Sequence, residues 1–265
     1  MSGRAQRVGR AAANTLIAGT VGAVVLLAVE AMVARNRRYA RPELSLALRA
    51  TFGPAAAPAL RLVLLGDSSA LGVGVDRVDE TVGGQLARLL SGGTVSAGTA
   101  RQVHLSSVAV VGSRSSDLAT QVARALLGQR PDVAVILVGV HDATDLRRPG
   151  EAAVHLGSAV RRLRQAGVAV VVGTCPDLGA VRAIAPPLRQ IAGWLGRRTA
   201  RAQAQAVRAA GGVAVDLAAE TGPVFRADEG AFSYDGYHPS ADGYRVWAHA
   251  LLPAVASAAT AAPQP

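Results

Sequence analysis

The sequence predicts a three-layer α/β/α domain around a central parallel sheet of about five strands. Three observations lead there. Short apolar runs alternate with longer stretches of helical periodicity, and glycines mark most of the connections between them. The clearest run, Asp132 to Val138, is apolar at every position after the first, as a parallel strand covered by helices on both faces requires. With 265 residues, half of them hydrophobic, the chain can bury a core of that size.

The elements follow in order. Arg61 to Leu65 reads as the first strand, ending at Gly66-Asp67-Ser68. Val82, Leu86, Leu89 and Leu90 set a helix over Asp79 to Leu90, stopped by Ser91-Gly92-Gly93. Val103 to Val110 is the second strand, closed by Gly112. Ser115 or Ser116 caps a helix with Leu118, Val122, Leu126 and Leu127 on its apolar face, and Gly128 and Pro131 stop it before the third strand. Glu151 to Gln165 is a helix, and Val168 to Val172 a strand leading into Gly173-Thr174-Cys175-Pro176-Asp177. A helix over Pro187 to Ala209, a short strand over Val213 to Leu217 and a last helix over Ser240 to Ala256 complete the domain. The organisation expected is a basic tail (1–10), a single membrane-spanning helix (11–34), a basic and then Ala/Pro-containing linker (35–59), the folded domain (60–256) and a flexible tail (257–265).

The span rests on Ala11 to Val29, which carries no charge and whose helical length would cross a hydrocarbon layer of about 30 Å. A cleaved secretory signal is the rival, since Arg4, Arg7 and Arg10 precede the apolar run. Glu30 and the following Arg35-Asn36-Arg37-Arg38 favour an uncleaved, single-pass anchor; arginines flank both ends, so charge does not set its orientation, and the domain is expected on the extracytoplasmic side. The chain contains no lysine, so all 28 basic residues are arginine. Eight of them fall within the first fifty residues, so the net charge of +10 is concentrated ahead of the domain. With aromatics at 3% and no recognition motif, this charge does not describe a nucleic-acid surface. Cys175 is the one cysteine, so there is no internal disulfide. No Gly-x-Gly-x-x-Gly follows the first strand and no phosphate loop is present, which argues against a nucleotide enzyme.

Polar sites cluster after the strands. Gly66-Asp67-Ser68 by itself is the composition of a turn. In a parallel sheet, however, the loops after the strands open at one edge, where Ser68 meets Gly112-Ser113, Gly139-Val140-His141-Asp142 and Ser233-Tyr234-Asp235-Gly236-Tyr237-His238-Pro239. An acid three residues before His238 can accept from Nδ1 and leave Nε2 to take the proton of Ser68. A helix-capping histidine is the plain alternative for His238, and a turn acid for Asp235.

Taken together, Gly66-Asp67-Ser68, Gly112, Gly139-Val140-His141-Asp142 and Asp235-Gly236-Tyr237-His238-Pro239 resemble the blocks of the GDSL, or SGNH, hydrolase family over residues 60 to 256. The resemblance implies a flavodoxin-like fold and a serine esterase or lipase-like acyl hydrolase. In it Ser68 is the nucleophile, His238 the base and Asp235 the acid that orients it, with no metal or cofactor. An acyl ester, small or lipid, is the substrate class implied. The oxyanion hole it implies is made by the Ser68 and Gly112 amides and a third donor, where the family has asparagine and this chain has His141. A neutral imidazole can donate one N–H there, with Asp142 or Asp145 as candidates to fix its ring. An acyltransferase or deacetylase using the same triad, or a weakened ligand-binding member, would share these residues.

Other candidates are weaker. Cys175 reads as a loop or pocket-wall residue, His104 as part of the second strand, and His141, Asp142, Asp145 and His155 lack the spacing of a closed zinc site.

Overall fold

A computed structural model describes residues 20, 22–34, 36–37, 39–41, 49–92 and 100–261. In chain order its elements are a helix over 22–34 (α1), β1 (Arg49–Phe52), β2 (Ala59–Gly66), α2 (Ser68–Leu71), α3 (Val82–Ser91), β3 (Gln102–Ser107), α4 (Leu118–Ala125) and β4 (Val133–Leu137). They continue with α5 (Val140–Thr144), α6 (Pro149–Gln165), β5 (Ala169–Gly173), α7 (Leu188–Ala209), β6 (Val213–Val215), α8 (Leu217–Ala227) and α9 (Ala241–Ala261).

The sheet runs β1-β3-β2-β4-β5-β6. The five expected strands are β2 to β6, all parallel to their neighbours. A sixth, β1, lies where the sequence suggested a connector and pairs antiparallel with β3 at the edge, Arg49 opposite Ser106 and Phe52 opposite Val103. From β2 the chain moves first to one side and then to the other. The strand order therefore reverses between β2 and β4, and their carboxyl ends diverge into the crevice where open α/β sheets place ligands.

Alternation along the strands splits the core into two layers. Leu62, Leu64, Val133, Val135 and Leu137 face α3 and α9, packing with Val82, Leu86, Tyr244 and Leu251. Val63, Leu65, Ala134 and Ile136 face the opposite layer, with Leu118, Val122, Leu156, Leu163 and Val207. Each fully buried leucine contributes roughly 1.5–3 kcal/mol relative to exposure. The two layers thus hold the carboxyl edge of the sheet rigidly beneath the loops. Two polar side chains inside them serve that edge. Gln121 in α4 accepts from Gly66 N (2.7 Å) and donates to Gly66 O (2.9 Å), while Gln203 in α7 accepts from Cys175 N and donates to Val138 O, both at 2.8 Å.

α8 was not evident from the sequence, because Gly222-Pro223 inside it reads as a break. Asp216 caps it by accepting from Ala219 N, and Pro223 sits within it.

The expected membrane span over 11–34 is corrected. Residues 11–19 and 21 lie outside the described ones, as does most of the stretch on which the cleaved signal depends. Among the described residues no helix is long and apolar enough to cross a membrane. Residues 22–34 are described as helix. Their one acid, Glu30, is turned to the domain, where its Oε2 accepts from Leu188 N at 3.0 Å. The single-pass anchor, the membrane as a partner and the extracytoplasmic placement that rested on the anchor are withdrawn with it.

Candidate active site

The site is assembled where β2 and β4 part. β2 ends at Gly66, with φ +133°, and a Cβ built there would stand 1.7 Å from Leu137 O. Only glycine lets the two strands close at this point, and Asp67 N then donates to Leu137 O at 3.0 Å. Asp67 caps α2, its Oδ1 accepting from Ser69 N at 2.9 Å, and this turn presents Ser68 at the head of the short helix. Gly74, at φ +108°, brings the following turn against Pro239 O and the His238 side chain, closer than any Cβ would permit. Tyr244, buried in α9, donates its hydroxyl to Val73 O at 2.7 Å and pins the same turn from below.

His238 comes from the loop ahead of α9. A bridge between Phe232 and Pro239 and a hydrogen bond from Ser233 N to His238 O (2.8 Å) close this loop into a tight turn. Ser68 Oγ lies 3.1 Å from His238 Nε2, and His238 Nδ1 lies 2.7 Å from Asp235 Oδ2. An ionised carboxylate only accepts, so Nδ1 carries the ring proton and Nε2 is left free to accept from Ser68. All three side chains are buried. Asp235 Oδ1 accepts from Ser233 Oγ, Tyr237 N and His238 N at 2.8 to 2.9 Å, and Oδ2 accepts also from Ala40 N at 2.9 Å. Burial alone would push the Asp235 carboxyl up. Hydrogen bonds from the His238 ring and from the Ala40, His238 and Tyr237 amides overcome it and hold the group well below the usual carboxylate range.

Asp67 has the opposite balance. Burial pushes its carboxyl up, and the bonds from Ser69 and the charges of His141 and His238 offset this only in part.

The loops that carry Gly112 and His141 flank the three residues without being bonded to them. After β3 the chain keeps pairing with β2 through Val108 N to Leu64 O and Val110 N to Gly66 O, and Gly112, at φ +77°, follows as an exposed residue outside the lining of the cleft. His141 is the second residue of α5 and half-buried. Neither of its proposed supports reaches it. Asp142 accepts from Ser115 N and from Ser115 Oγ (2.7 Å), and Asp145 accepts from Arg114 Nε (2.7 Å). Among the described residues the His141 ring has no hydrogen-bond partner.

A cleft with a cavity volume of about 40 Å³, open to solvent, starts at Ser68 and His238. Its wall is apolar, built by Val140, Pro176, Leu178, Phe225, Phe232 and Trp247. Cys175 is not part of it. The thiol is buried in the core, and that burial, with the carboxylates of Asp67, Asp142 and Asp177, pushes it far above its ordinary value. His104 is exposed on β3 and meets Thr51 Oγ1 of β1 at 3.2 Å, and His155 is exposed on α6. Among the described residues no three His, Cys, Asp or Glu side chains gather as a metal would require. The residues that sequence reading missed are Gln121 and Ala40. The first was detectable as a polar side chain on the apolar face of α4, whereas a main-chain donor such as Ala40 N leaves no trace in a sequence.

Comparison with known proteins points one way. The model of the GDSL-like Lipase/Acylhydrolase family matches residues 64–246. A GDSL-like esterase of Mycobacterium tuberculosis is 45% identical over 203 residues, which cover 76% of this chain and 63% of that protein. The chain therefore spans less than two thirds of that relative's length. Among solved structures, the acetylxylan esterase Axe2 of Geobacillus stearothermophilus, in a catalytic mutant, superposes with a TM-score of 0.56 at 19% identity, over 77% of this chain and 95% of that one. TesA superposes with a TM-score of 0.58 at 18% identity, over 75% and 99%. At those identities the likeness is one of fold.

Proposed function

Because the chain belongs to the GDSL-like lipase/acylhydrolase family, a family of serine-type hydrolases, we propose that it cleaves carboxylic esters through an acyl-enzyme formed on Ser68. His238 is the general base and Asp235 its orienting acid. The observation that carries this reading is the unbroken chain of contacts from Ser68 Oγ through both nitrogens of His238 to Asp235, opening onto an apolar cleft.

The steps follow from the geometry. Ser68 Oγ attacks the ester carbonyl carbon while its proton passes to His238 Nε2. The imidazolium that results is stabilised by the Asp235 carboxylate 2.7 Å from Nδ1. Collapse of the tetrahedral intermediate breaks the bond to the alcohol, which leaves with the proton from Nε2. Water, deprotonated by the same nitrogen, then attacks the acyl-enzyme, and the acid is released as Ser68 regains its proton. The negative oxygen of each intermediate is held by the Ser68 and Gly112 amides and by an N–H of His141 in place of the asparagine side chain. The acyl chain lies along the apolar wall from Val140 to Trp247.

The test is turnover of p-nitrophenyl esters from acetate to decanoate by the protein and its Ser68→Ala variant. Hydrolysis of at least one ester is expected, reduced about ten-thousandfold or more by the substitution. Turnover that survives Ser68→Ala at the wild-type rate would remove Ser68 as nucleophile. Absence of turnover on every ester would leave a binding protein instead.

A further inference from the structure

Asp235 is held from an unexpected quarter. The residues that follow α1 cross the back of the His238 loop, and they lie ahead of the stretch that the family model matches. Four contacts fasten them. Glu30 Oε2 accepts from Leu188 N (3.0 Å), Arg37 Nη1 donates to Ala183 O (3.1 Å), the Tyr39 ring packs on Tyr237 with centroids 4.8 Å apart, and Ala40 N donates to Asp235 Oδ2 (2.9 Å). Tyr39 also donates its hydroxyl back to Ala34 O at 2.6 Å, closing the crossing onto the end of α1. The attachment point is not arbitrary, because Ala183 N in turn donates to Gly236 O at 2.9 Å. The crossing therefore grips both the acid itself and the segment that supports its turn. Tyr237 continues the stack, its ring meeting His238 edge-on at 5.0 Å.

We propose that Arg37, Tyr39 and Ala40, with Glu30 of α1, form a positioning strap for the catalytic acid, in which the main-chain N–H of Ala40 completes the donor set on Asp235 Oδ2 and fixes the carboxylate that orients His238. The proposal rests on the triad reading above. Oδ2 is the oxygen that faces His238 Nδ1, so the Ala40 amide and the imidazole share one acceptor. A donor placed there fixes where the oxygen sits and withdraws part of its charge. Removing it leaves a less well-placed but more basic oxygen facing the ring. The charged and titratable groups around the pair are Asp67 from the β2 loop, His141 from α5, Tyr237 on the same loop, Tyr244 from α9, and Tyr39 and Arg37 on the strap.

Proline at position 40 deletes the donor, and it also fixes φ there and restricts the backbone of Tyr39 before it. In the full chain, Ala40→Pro is expected to lower kcat/KM about tenfold, mostly in kcat, through misplacement of the acid. The acid limb of the kcat/KM profile moves to higher pH by about half a unit, because the more basic carboxylate favours the imidazolium. The low-field proton resonance of the Nδ1 to Oδ2 bond moves with it. Ala40→Gly keeps the N–H and rescues the rate, the limb and the resonance. Glu30→Ala with Arg37→Ala, which loosens the strap without touching its donor, shifts the limb in the same direction by less. A wild-type limb and a wild-type resonance in both Ala40→Pro and the double variant overturn the strap, even if thermal stability falls. Wild-type turnover by Ser68→Ala brings down the triad and the strap together, whereas an inactive Ser68→Ala beside an unshifted Ala40→Pro brings down the strap alone.

Discussion

The two sides of the Ser68 hydroxyl are built to different standards. On one side stands Asp235, which takes five hydrogen bonds, from Ser233 Oγ, two amides of its own loop, the His238 ring and Ala40 N. On the other stands His141, half-buried at the start of a five-residue helix, with no hydrogen-bond partner among the described residues. The carboxylates that could have steadied it are committed elsewhere, Asp142 to Ser115 and Asp145 to Arg114. On the proposed reading, the acid-base side is held by these hydrogen bonds in the resting structure, while the ring assigned to the oxyanion is held by none among the described residues. A donor that is not preorganised contributes less than one that is, because the ordering must come out of binding.

Substitutions at four positions break or sharpen this contrast. Asp235→Asn should have the largest effect, a loss in kcat of about a thousand- to ten-thousandfold, since an amide can present its N–H to Nδ1 and force the wrong tautomer. Steady-state kinetics with the best p-nitrophenyl ester would measure it, and a loss under tenfold would show that the bracing is structural. His141→Ala comes next. If the ring donates, kcat falls about 100- to 1000-fold, and His141→Asn recovers most of it. Stability should stay within about 0.5 kcal/mol of wild type, since no partner is left behind. A rate unchanged in His141→Ala would leave the oxyanion to the two amides.

Gln121→Leu probes the ground beneath the nucleophile. Gly66 N loses its partner within the core, while Gly66 O keeps the bond from Val110 N. A cost of about 1–3 kcal/mol in urea unfolding is expected, with the slope unchanged.

The smallest effect is one of sign. Folding raises the Asp67 carboxyl, chiefly by burial, so its contribution to stability is present below the ordinary carboxylate range and lost as pH rises through the folded value. Folding lowers Asp235, so its contribution is present above that range and lost in acid. Asp67→Asn should therefore gain stability relative to wild type between about pH 4 and pH 7, and Asp235→Asn should lose it over the same window. Thermal melts across that window would separate the two.

The parallel sheet was legible because its strands are apolar on both faces and its turns carry glycine. The residues of the acid-base chain were legible because Gly66-Asp67-Ser68 and Asp235 to His238 each fall at a strand or helix boundary that the periodicity marks. β1 was not, because an edge strand with half its positions exposed has no apolar run to show, and Arg49 to Phe52 adjoins a linker composition. The apolar stretch before Glu30 suggested a membrane span because hydropathy alone cannot register that Glu30 has a partner in Leu188 N. Ala40 lies at the limit of what sequence can say, since any residue except proline offers the same N–H.

The contact between Ser68 and His238 joins residues 170 positions apart. During synthesis Ser68 leaves the ribosome with most of the domain still to come, and Asp235 and His238 follow only with the final turn before α9. A nascent or truncated chain that stops short of that turn carries an inert serine. On the proposed function, ester hydrolysis would therefore also read out completion of the turn that precedes α9.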